Sequence, residues 1–233
     1  MQKTFITTTA ALFLLGLAST AQSQQLQALG VSGSFNIARL HSGQSAYKLG
    51  AVTIDPQFDQ SNDETGNGIT LFGRWQVGRG GWYAQPEVGY VSTLATPIGI
   101  AYDRGSFSYA SQQIRHLDAR LLAGYQAGPL RLFAGPSLGY HLRNTDRYQD
   151  TNPDVQAVVD ALAEPPARVQ AALQAGTGVS IWRLDINARY EWGLTQYRRT
   201  IQFQQQQHYL HQNLQQIILE VGYRFYRAPA LAD

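Results

Sequence analysis

The sequence predicts an all-β fold: an eight-stranded antiparallel up-and-down β-barrel whose strands cross a membrane. Three observations support this prediction. Apolar and polar residues alternate over long stretches, the connections alternate between long and short, and an apolar leader opens the chain. Alternation with a period of two is typical of strands, because successive side chains point to opposite faces.

Residues 114–143 show the alternation most clearly, as two arms joined by Gly128-Pro129, a pair typical of turns. One face of the two arms carries Leu117, Ala119, Leu121, Ala123 and Tyr125, then Leu130, Leu132, Ala134, Pro136, Leu138, Tyr140 and Leu142. From His116 onward, the opposite face is polar or small except at Leu122 and Phe133. Arms of about 12 residues exceed ordinary globular strands and suit tilted strands that span a bilayer.

Six further strands follow from the same alternation. They are predicted at residues 29–40, 69–77, 82–93 and 169–181, with a seventh strand that begins at Leu184 and a last one that ends at Phe225. Short turns are predicted at residues 78–81, 128–129 and 182–183, and long polar connections at residues 41–68, 94–111, 144–168 and 198–212. The third long connection could hold a short helix from Asn152 to Leu162. Long extracellular loops and short periplasmic turns are typical of outer-membrane barrels.

The first residues resemble a secretory targeting segment. Lys3 precedes an apolar run, and the small residues at 18–23 are typical of a signal-peptidase cleavage site. We therefore expect a signal peptide at residues 1–23 and a barrel domain at residues 24–233. The apolar run is shorter than the roughly 20 residues that a membrane-anchoring helix needs.

The amino-acid composition limits which kinds of protein and which kinds of site the chain can form. The chain has 233 residues, no cysteine and 15% charged residues, which excludes disulfides and thiolate metal sites. Lys3 and Lys48 are its only lysines, whereas soluble proteins spread lysine over their surfaces. The net charge of +2 gives no indication of nucleic-acid binding.

A soluble barrel of the lipocalin type is the main structural alternative, since its strands also alternate but point their apolar face inward. Three features favour the membrane barrel. The strands are long, the polar face is rich in Gly, Ser, Asn and Gln, and aromatic residues lie near the strand ends. These aromatic residues are Trp75, Trp82, Tyr83, Tyr125, Tyr140, Trp192, Tyr223, Phe225 and Tyr226.

Two stretches carry a family resemblance. Residues 132–140, LFAGPSLGY, and the closing strand at residues 219–225, LEVGYRF, resemble the PorT-like outer-membrane β-barrel domains of Bacteroidota. The resemblance implies an eight-stranded barrel in the outer membrane and carries over no catalytic residue. The tail from Arg227 to Asp233 departs from the family pattern, because the closing strand does not end on its aromatic residue.

With the polar face inward, the sequence predicts a network of charges inside the barrel. Its members are Arg74, Arg120, Arg189 and Arg224 with Glu87, Asp118, Asp185, Glu191 and Glu220. The interior of an eight-stranded barrel is just wide enough for side chains to fill, so we expect the charges to pair and to plug the lumen. A narrow conducting or proton path, or paired carboxylates for acid–base catalysis, are the alternatives.

Histidines and a cluster of acidic residues suggest three other sites. His116 and His141 could face each other inside the barrel, but no third metal ligand accompanies them. His208 and His211 could serve a lipid-deacylating barrel enzyme if a serine lay beside them. Residues 55–68 are acidic but lack the spacing of a Ca²⁺-binding loop. We therefore expect no catalytic, cofactor-binding or metal site.

We expect a non-enzymatic outer-membrane protein that acts through its membrane anchoring or its long loops. Its partners would be outer-membrane lipid and a protein or surface ligand, with no nucleic acid and no cofactor. The alternatives are a small channel or transport component, a lipid-modifying barrel enzyme, and a soluble ligand-binding barrel.

Overall fold

The computed structural model describes residues 25–49, 52–56, 64–78, 80–102, 107–142, 168–203 and 206–228. These residues form eleven strands. The strands are β1 (Gln25–His41), β2 (Tyr47–Leu49), β3 (Val52–Asp55), β4 (Glu64–Gln76), β5 (Trp82–Tyr102), β6 (Phe107–Ala127), β7 (Leu130–His141), β8 (Val169–Ile181), β9 (Leu184–Gly193), β10 (Tyr197–Phe203) and β11 (Gln206–Arg227).

Eight of these strands close into an antiparallel barrel in the order β1-β4-β5-β6-β7-β8-β9-β11. The circle is completed by β1 and β11, which pair from Ala28 opposite Arg227 to His41 opposite Asn213. The predicted eight-stranded antiparallel barrel is thus confirmed. We call the end with the turns at residues 78–81, 128–129 and 182–183 the short-turn end, and the opposite end the long-strand end.

The apolar face of the strands points outward. Leu71, Val88 and Leu132 are exposed over more than half of their surface, at 61%, 62% and 65%. Arg74, Glu87 and many other polar side chains are buried inside the barrel. This polarity is that of a membrane barrel rather than a soluble one. Within the described residues, no helix is long and apolar enough to cross a membrane.

The long connections contain more strand than the sequence predicts, so the loop predictions were wrong in three places. β5 continues to Tyr102 and β6 begins at Phe107, so that most of residues 94–111 form a strand pair. Residues 198–212 hold β10 and the start of β11, and residues 41–68 hold β2, β3 and the start of β4. These strands rise beyond the barrel, where no lipid requires an apolar face and alternation is lost.

Two predictions fall outside the described residues. One is the short helix from Asn152 to Leu162, and the other is the signal peptide at residues 1–23. Both stay predictions, as does the domain boundary at residue 24.

A charge introduced on the outer face of β4 should destabilise the barrel most at the bilayer midplane and least near the strand end. Leu71 lies between Val31 and Val88 in the middle of the outer apolar face. Leu71→Arg should cost about 2–4 kcal/mol of unfolding free energy, because a cation at the bilayer midplane loses its hydration. Urea unfolding in lipid vesicles, followed by tryptophan fluorescence, measures this cost.

Thr65→Arg is the matched control, since Thr65 lies on the same face of the same strand near the long-strand end. It should change the free energy of unfolding by less than about 1 kcal/mol. Equal losses in the two variants would contradict the placement of Leu71 in the bilayer.

Candidate functional site

Among the residues that the structure describes, ten buried charges line the inside of the barrel, which are all nine residues of the predicted network and one further arginine. They are Arg74, Arg120, Arg131, Arg189 and Arg224 with Glu87, Asp118, Asp185, Glu191 and Glu220. Five arginines therefore face five carboxylates. Because burying an unpaired charge is costly, this numerical balance allows the interior to be filled without a net charge.

At the short-turn end, one carboxylate is surrounded by three arginines. Asp185 Oδ2 lies 2.8 Å from Nη2 of Arg74, while its Oδ1 lies 3.4 Å from Nη2 of Arg131 and 3.5 Å from Nε of Arg224. The hydroxyl of Ser180 donates to the same Oδ1 at 2.7 Å. This cluster therefore carries an excess of positive charge.

In the middle of the barrel, two arginines are shared among three carboxylates. Glu87 Oε2 lies 3.3 Å from Nη1 of Arg120 and 2.9 Å from Nη1 of Arg189. Arg189 also pairs with Glu220, and Arg120 Nη2 reaches Asp118 Oδ2 at 2.6 Å. Carboxylates outnumber arginines here, so this part of the lumen has an excess of negative charge. The short-turn end, by contrast, has an excess of positive charge.

Glu191 lies toward the long-strand end and is held by neutral donors. The hydroxyl of Ser137 donates to its Oε2 at 3.1 Å, and the Gln216 amide donates to its Oε1 at 2.5 Å. The amide of Gln174 also donates to Oε2. The charges are thus segregated along the barrel axis, with arginine in excess at one end and carboxylate in excess toward the other.

Two histidines lie beside this network. His116 is directly opposite His141 on the neighbouring strand, and their ring centres are 5.4 Å apart. His116 Nε2 lies 3.3 Å from Asp118 Oδ1. A cavity of about 20 Å³ beside His116, Asp118, Ser137 and Glu191 has room for about one water molecule. Among the described residues, no group of three or more His, Cys, Asp or Glu side chains could hold a metal ion.

Apolar side chains fill the lumen where charges do not. Near the long-strand end, Ala38, Ile114 and Leu214 form a buried cluster with Leu40 packed against it. Nearer the short-turn end, Tyr83, Leu122 and Phe133 form a second one. The guanidinium of Arg189 lies over the Phe133 ring, 5.3 Å from its centre, and so joins the charged and apolar parts.

The strands beyond the long-strand end are held against one another by side chains. Gln44 donates from Nε2 to the backbone carbonyl of Tyr209 at 2.9 Å and accepts from the backbone N–H of His211 at 2.8 Å. Its amide thus continues the β1–β11 pairing after β1 has ended. Tyr47 stacks on His208, with ring centres 5.9 Å apart, and burial raises the pKa of the Tyr47 hydroxyl.

The other candidate residues from the sequence are the two histidines of β11 and the acidic segment, and each of them has different neighbours. His211 Nδ1 lies 3.4 Å from Oε1 of Gln196, and the ring of His208 faces Tyr47. The hydroxyl of Ser42 donates its proton to the backbone carbonyl of His211 and not to the imidazole. Asp55 lies in β3, while Asp59 and Asp63 of the acidic segment lie outside the described residues.

Arg131 is the one arginine of the network that was not among its predicted members. It belongs to the polar face of its strand, and it is 1% exposed. A count of the inward charges would have identified it, because the nine predicted residues leave one carboxylate without a balancing cation.

Comparison with known proteins identifies the family of this chain. A model of the outer membrane protein beta-barrel domain matches residues 8–225. The chain belongs to this family. It is therefore an outer-membrane β-barrel protein, and the short-turn end is periplasmic and the long-strand end extracellular. No curated protein sequence matches the chain at a significant level.

Solved structures of outer-membrane proteins are similar in fold. Neisserial surface protein A has a TM-score of 0.45 at 10% identity, over 86% of this chain and 99% of that one. The attachment invasion locus protein of Yersinia pestis has a TM-score of 0.42 at 13% identity, over 86% and 100%. Outer membrane protein AlkL has a TM-score of 0.41 at 14% identity, over 91% and 97%.

Removal of one shared cation should destabilise this outer-membrane protein strongly. Arg189→Leu should cost about 3–5 kcal/mol of unfolding free energy, because Glu87 and Glu220 lose a buried partner. Addition of Glu220→Gln to Arg189→Leu should recover part of that cost. The measurement is urea unfolding of each variant in lipid vesicles.

Arg227→Leu is the control for loss of a positive charge, since Arg227 lies exposed at the periplasmic end of β11. It should shift the unfolding free energy by no more than about 0.5 kcal/mol. A loss in Arg189→Leu as small as this would contradict the pairing inside the lumen.

Proposed function

We propose that this protein is a closed, non-enzymatic outer-membrane anchor that acts through its extracellular strands on a protein or surface ligand. The filled lumen is the observation that carries the proposal. Charged clusters and apolar clusters lie in series along the barrel axis, so a solute would have to displace both. A small channel is therefore the less favoured alternative.

The extracellular strands support the second half of the proposal. β2 pairs with β3, β3 with β5, and β10 with β11, all beyond the extracellular end of the barrel. The contacts of Gln44 and Tyr47 hold β11 to the segment that follows β1. A surface built in this way is ordered before a partner arrives, which lowers the entropic cost of binding.

Finer features of the protein stay predictions. They are membership of the PorT-like group of Bacteroidota, cleavage of a signal peptide at residues 1–23, and the absence of a cofactor. Nucleic acid is not among the partners that we propose.

Cysteine accessibility tests whether the lumen is closed. The chain has no cysteine, so Ser137→Cys and Ser45→Cys each introduce one thiol with little change in volume. Ser137 is buried in the lumen at 4% exposure, and Ser45 is exposed on the extracellular side. We expect a charged methanethiosulfonate reagent to modify Ser45→Cys within minutes and to leave folded Ser137→Cys unmodified.

Unfolding in urea should make the Ser137→Cys thiol react fully, which shows that the reagent is competent at this position. Rapid modification of Ser137→Cys in the folded protein, at a rate near that of Ser45→Cys, would contradict a closed lumen and favour the channel.

Lipid analysis tests the non-enzymatic part of the proposal. The refolded protein should leave vesicle phospholipid and lipopolysaccharide unchanged by mass spectrometry, because the Ser42 hydroxyl donates its proton to the backbone carbonyl of His211 and not to the imidazole that would have to activate it. Products that disappear in His208→Ala or His211→Ala, with the barrel still folded, would instead establish a lipid-modifying enzyme.

A further inference from the structure

The periplasmic end of the lumen carries more positive charge than the described side chains at that end balance. Arg74, Arg131 and Arg224 surround Asp185, and Arg227 follows Arg224 at the end of the same strand. Asp185 is the only Asp or Glu that the described part of the chain places at this end. We call the four arginines the periplasmic arginine cluster.

The carboxylates that balance the lumen as a whole lie farther along the axis and have partners of their own. Glu220 pairs with Arg189 and accepts a hydrogen bond from the Asn187 amide at 2.9 Å. Glu87 is shared between Arg120 and Arg189. Because the attraction between charges weakens with distance, these carboxylates do not replace a close partner for the cluster. The positive excess therefore persists at the periplasmic end.

Arg131 has donors that the described residues do not use. Its Nη2 donates to Oδ1 of Asn187 at 2.6 Å and lies 3.4 Å from Oδ1 of Asp185. The Tyr83 hydroxyl lies beside this guanidinium. However, neither that hydroxyl nor Nε and Nη1 of Arg131 has a hydrogen-bond partner of normal geometry among the described residues. Because unpaired buried donors are costly and Arg131 is 1% exposed, these nitrogens indicate a place for an acceptor.

Arg224 and Arg227 meet on one uncharged acceptor. Nη2 of Arg224 donates to the backbone carbonyl oxygen of Trp182, and Nη1 of Arg227 lies 3.5 Å from the same oxygen. Nε of Arg224 lies 3.5 Å from Oδ1 of Asp185. A carbonyl oxygen carries no full charge, so it does not neutralise two guanidiniums. Arg224 thus links the buried part of the cluster to the exposed Arg227.

The neighbouring inward side chains at this end include two uncharged amides. Gln76 follows Arg74 on the inward face of β4, and Gln126 lies opposite Arg131. Both amides donate to backbone carbonyls of the adjacent turns, at 3.1 Å and 3.0 Å. They therefore hold the turns and add no negative charge that would repel an anion.

We propose that the periplasmic arginine cluster binds a phosphate group from the periplasm. A guanidinium donates two parallel hydrogen bonds to phosphate oxygens, which a monoatomic anion cannot accept. A phosphate group carries up to two negative charges near neutral pH, which matches the excess of three arginines over Asp185.

The direction of the cluster favours a soluble phosphate over a lipid headgroup. Its buried arginines lie on the inward face of the barrel, whereas lipid contacts the outward face. A soluble compound from the periplasm therefore reaches them directly. This inference does not depend on the proposed function of the extracellular strands.

Phosphorus NMR with inorganic phosphate as the probe tests the proposal on the full folded chain in nonionic detergent. The line width of the phosphate signal reports binding, and sodium chloride keeps the ionic strength constant. Arg224→Gln should weaken phosphate binding about tenfold, because a charge-assisted hydrogen bond is lost. Arg227→Gln should weaken it by a smaller factor, and this exposed position keeps the test available if a variant inside the lumen does not fold.

Asp185→Asn should have the opposite effect. The substitution keeps the shape of the side chain but removes the carboxylate that competes with the ligand for the arginines. Phosphate binding should become about tenfold tighter. A purely structural role of the cluster would give no such gain. The mobility of unheated samples in gel electrophoresis verifies that each variant is folded.

Arg183→Gln is the matched control at the same end of the barrel. The Arg183 guanidinium lies over the Trp182 ring, 5.7 Å from its centre, and Nη1 lies 3.5 Å from the hydroxyl of the outward-facing Tyr223. The variant loses the same charge outside the lumen. It should bind phosphate within about twofold of the unmodified chain, because exposed charges act weakly at a distance.

Phosphatidylglycerol added to the detergent distinguishes the two sources of phosphate. Binding of inorganic phosphate that is unchanged by the lipid would support a soluble ligand. Competition by the lipid that disappears in Arg224→Gln would support a phosphate site that takes a headgroup.

Three results would overturn the proposal. The folded, unmodified chain could leave the phosphate signal unbroadened, which would mean that the cluster binds no phosphate. Equal weakening by Arg183→Gln and Arg224→Gln would mean that net charge alone attracts the anion. Weaker binding to folded Asp185→Asn would mean that the positive excess is not what holds the phosphate.

Discussion

Inside a membrane, each backbone polar group must find its partner within the protein, because hydrocarbon offers none. The pairing of β1 with β11 satisfies this constraint, since it joins the first and last described barrel strands and leaves no open edge at the bilayer. The outward apolar face then follows from the lipid. The inward face, in turn, must fill a space that only side chains can occupy.

The charges inside the barrel are a consequence of that filling. Long arginine side chains span the space between strands and form ion pairs with carboxylates of other strands. Arg189, for example, forms ion pairs with both Glu87 and Glu220. Balance between five arginines and five carboxylates avoids a net buried charge. Their segregation, with three arginines around Asp185 at the periplasmic end, gives the lumen an electrical polarity along its axis.

The barrel strands and the network could be predicted from the sequence because the bilayer imposes a strict alternation on both faces. The nine predicted network residues all lie buried inside, and Arg131 was missed although it shares the parity of Ser137 on its strand. The contacts within the network could not be predicted. Asp185 meets Arg74 across 111 residues of sequence, and alternation specifies a face but not the height or partner of a side chain.

The extracellular strands were not predicted from the sequence, and the reason is physical. Most of residues 94–111 and 198–212 form strand pairs above the membrane, where no lipid requires alternation. Polar composition alone therefore indicated loops. The contact of Gln44 with β11 is equally invisible in the sequence, because it depends on where β1 ends relative to Tyr209 and His211.

Single-channel recording tests directly whether the lumen is closed. The refolded protein would be inserted into a planar bilayer, with insertion verified by protease protection in vesicles of the same lipid. If the lumen is closed, the folded, inserted barrel should pass no resolvable current across a wide range of voltages. Steady conductance that changes when Arg120 or Glu191 is neutralised would contradict it and make the charge network the filter of a pore.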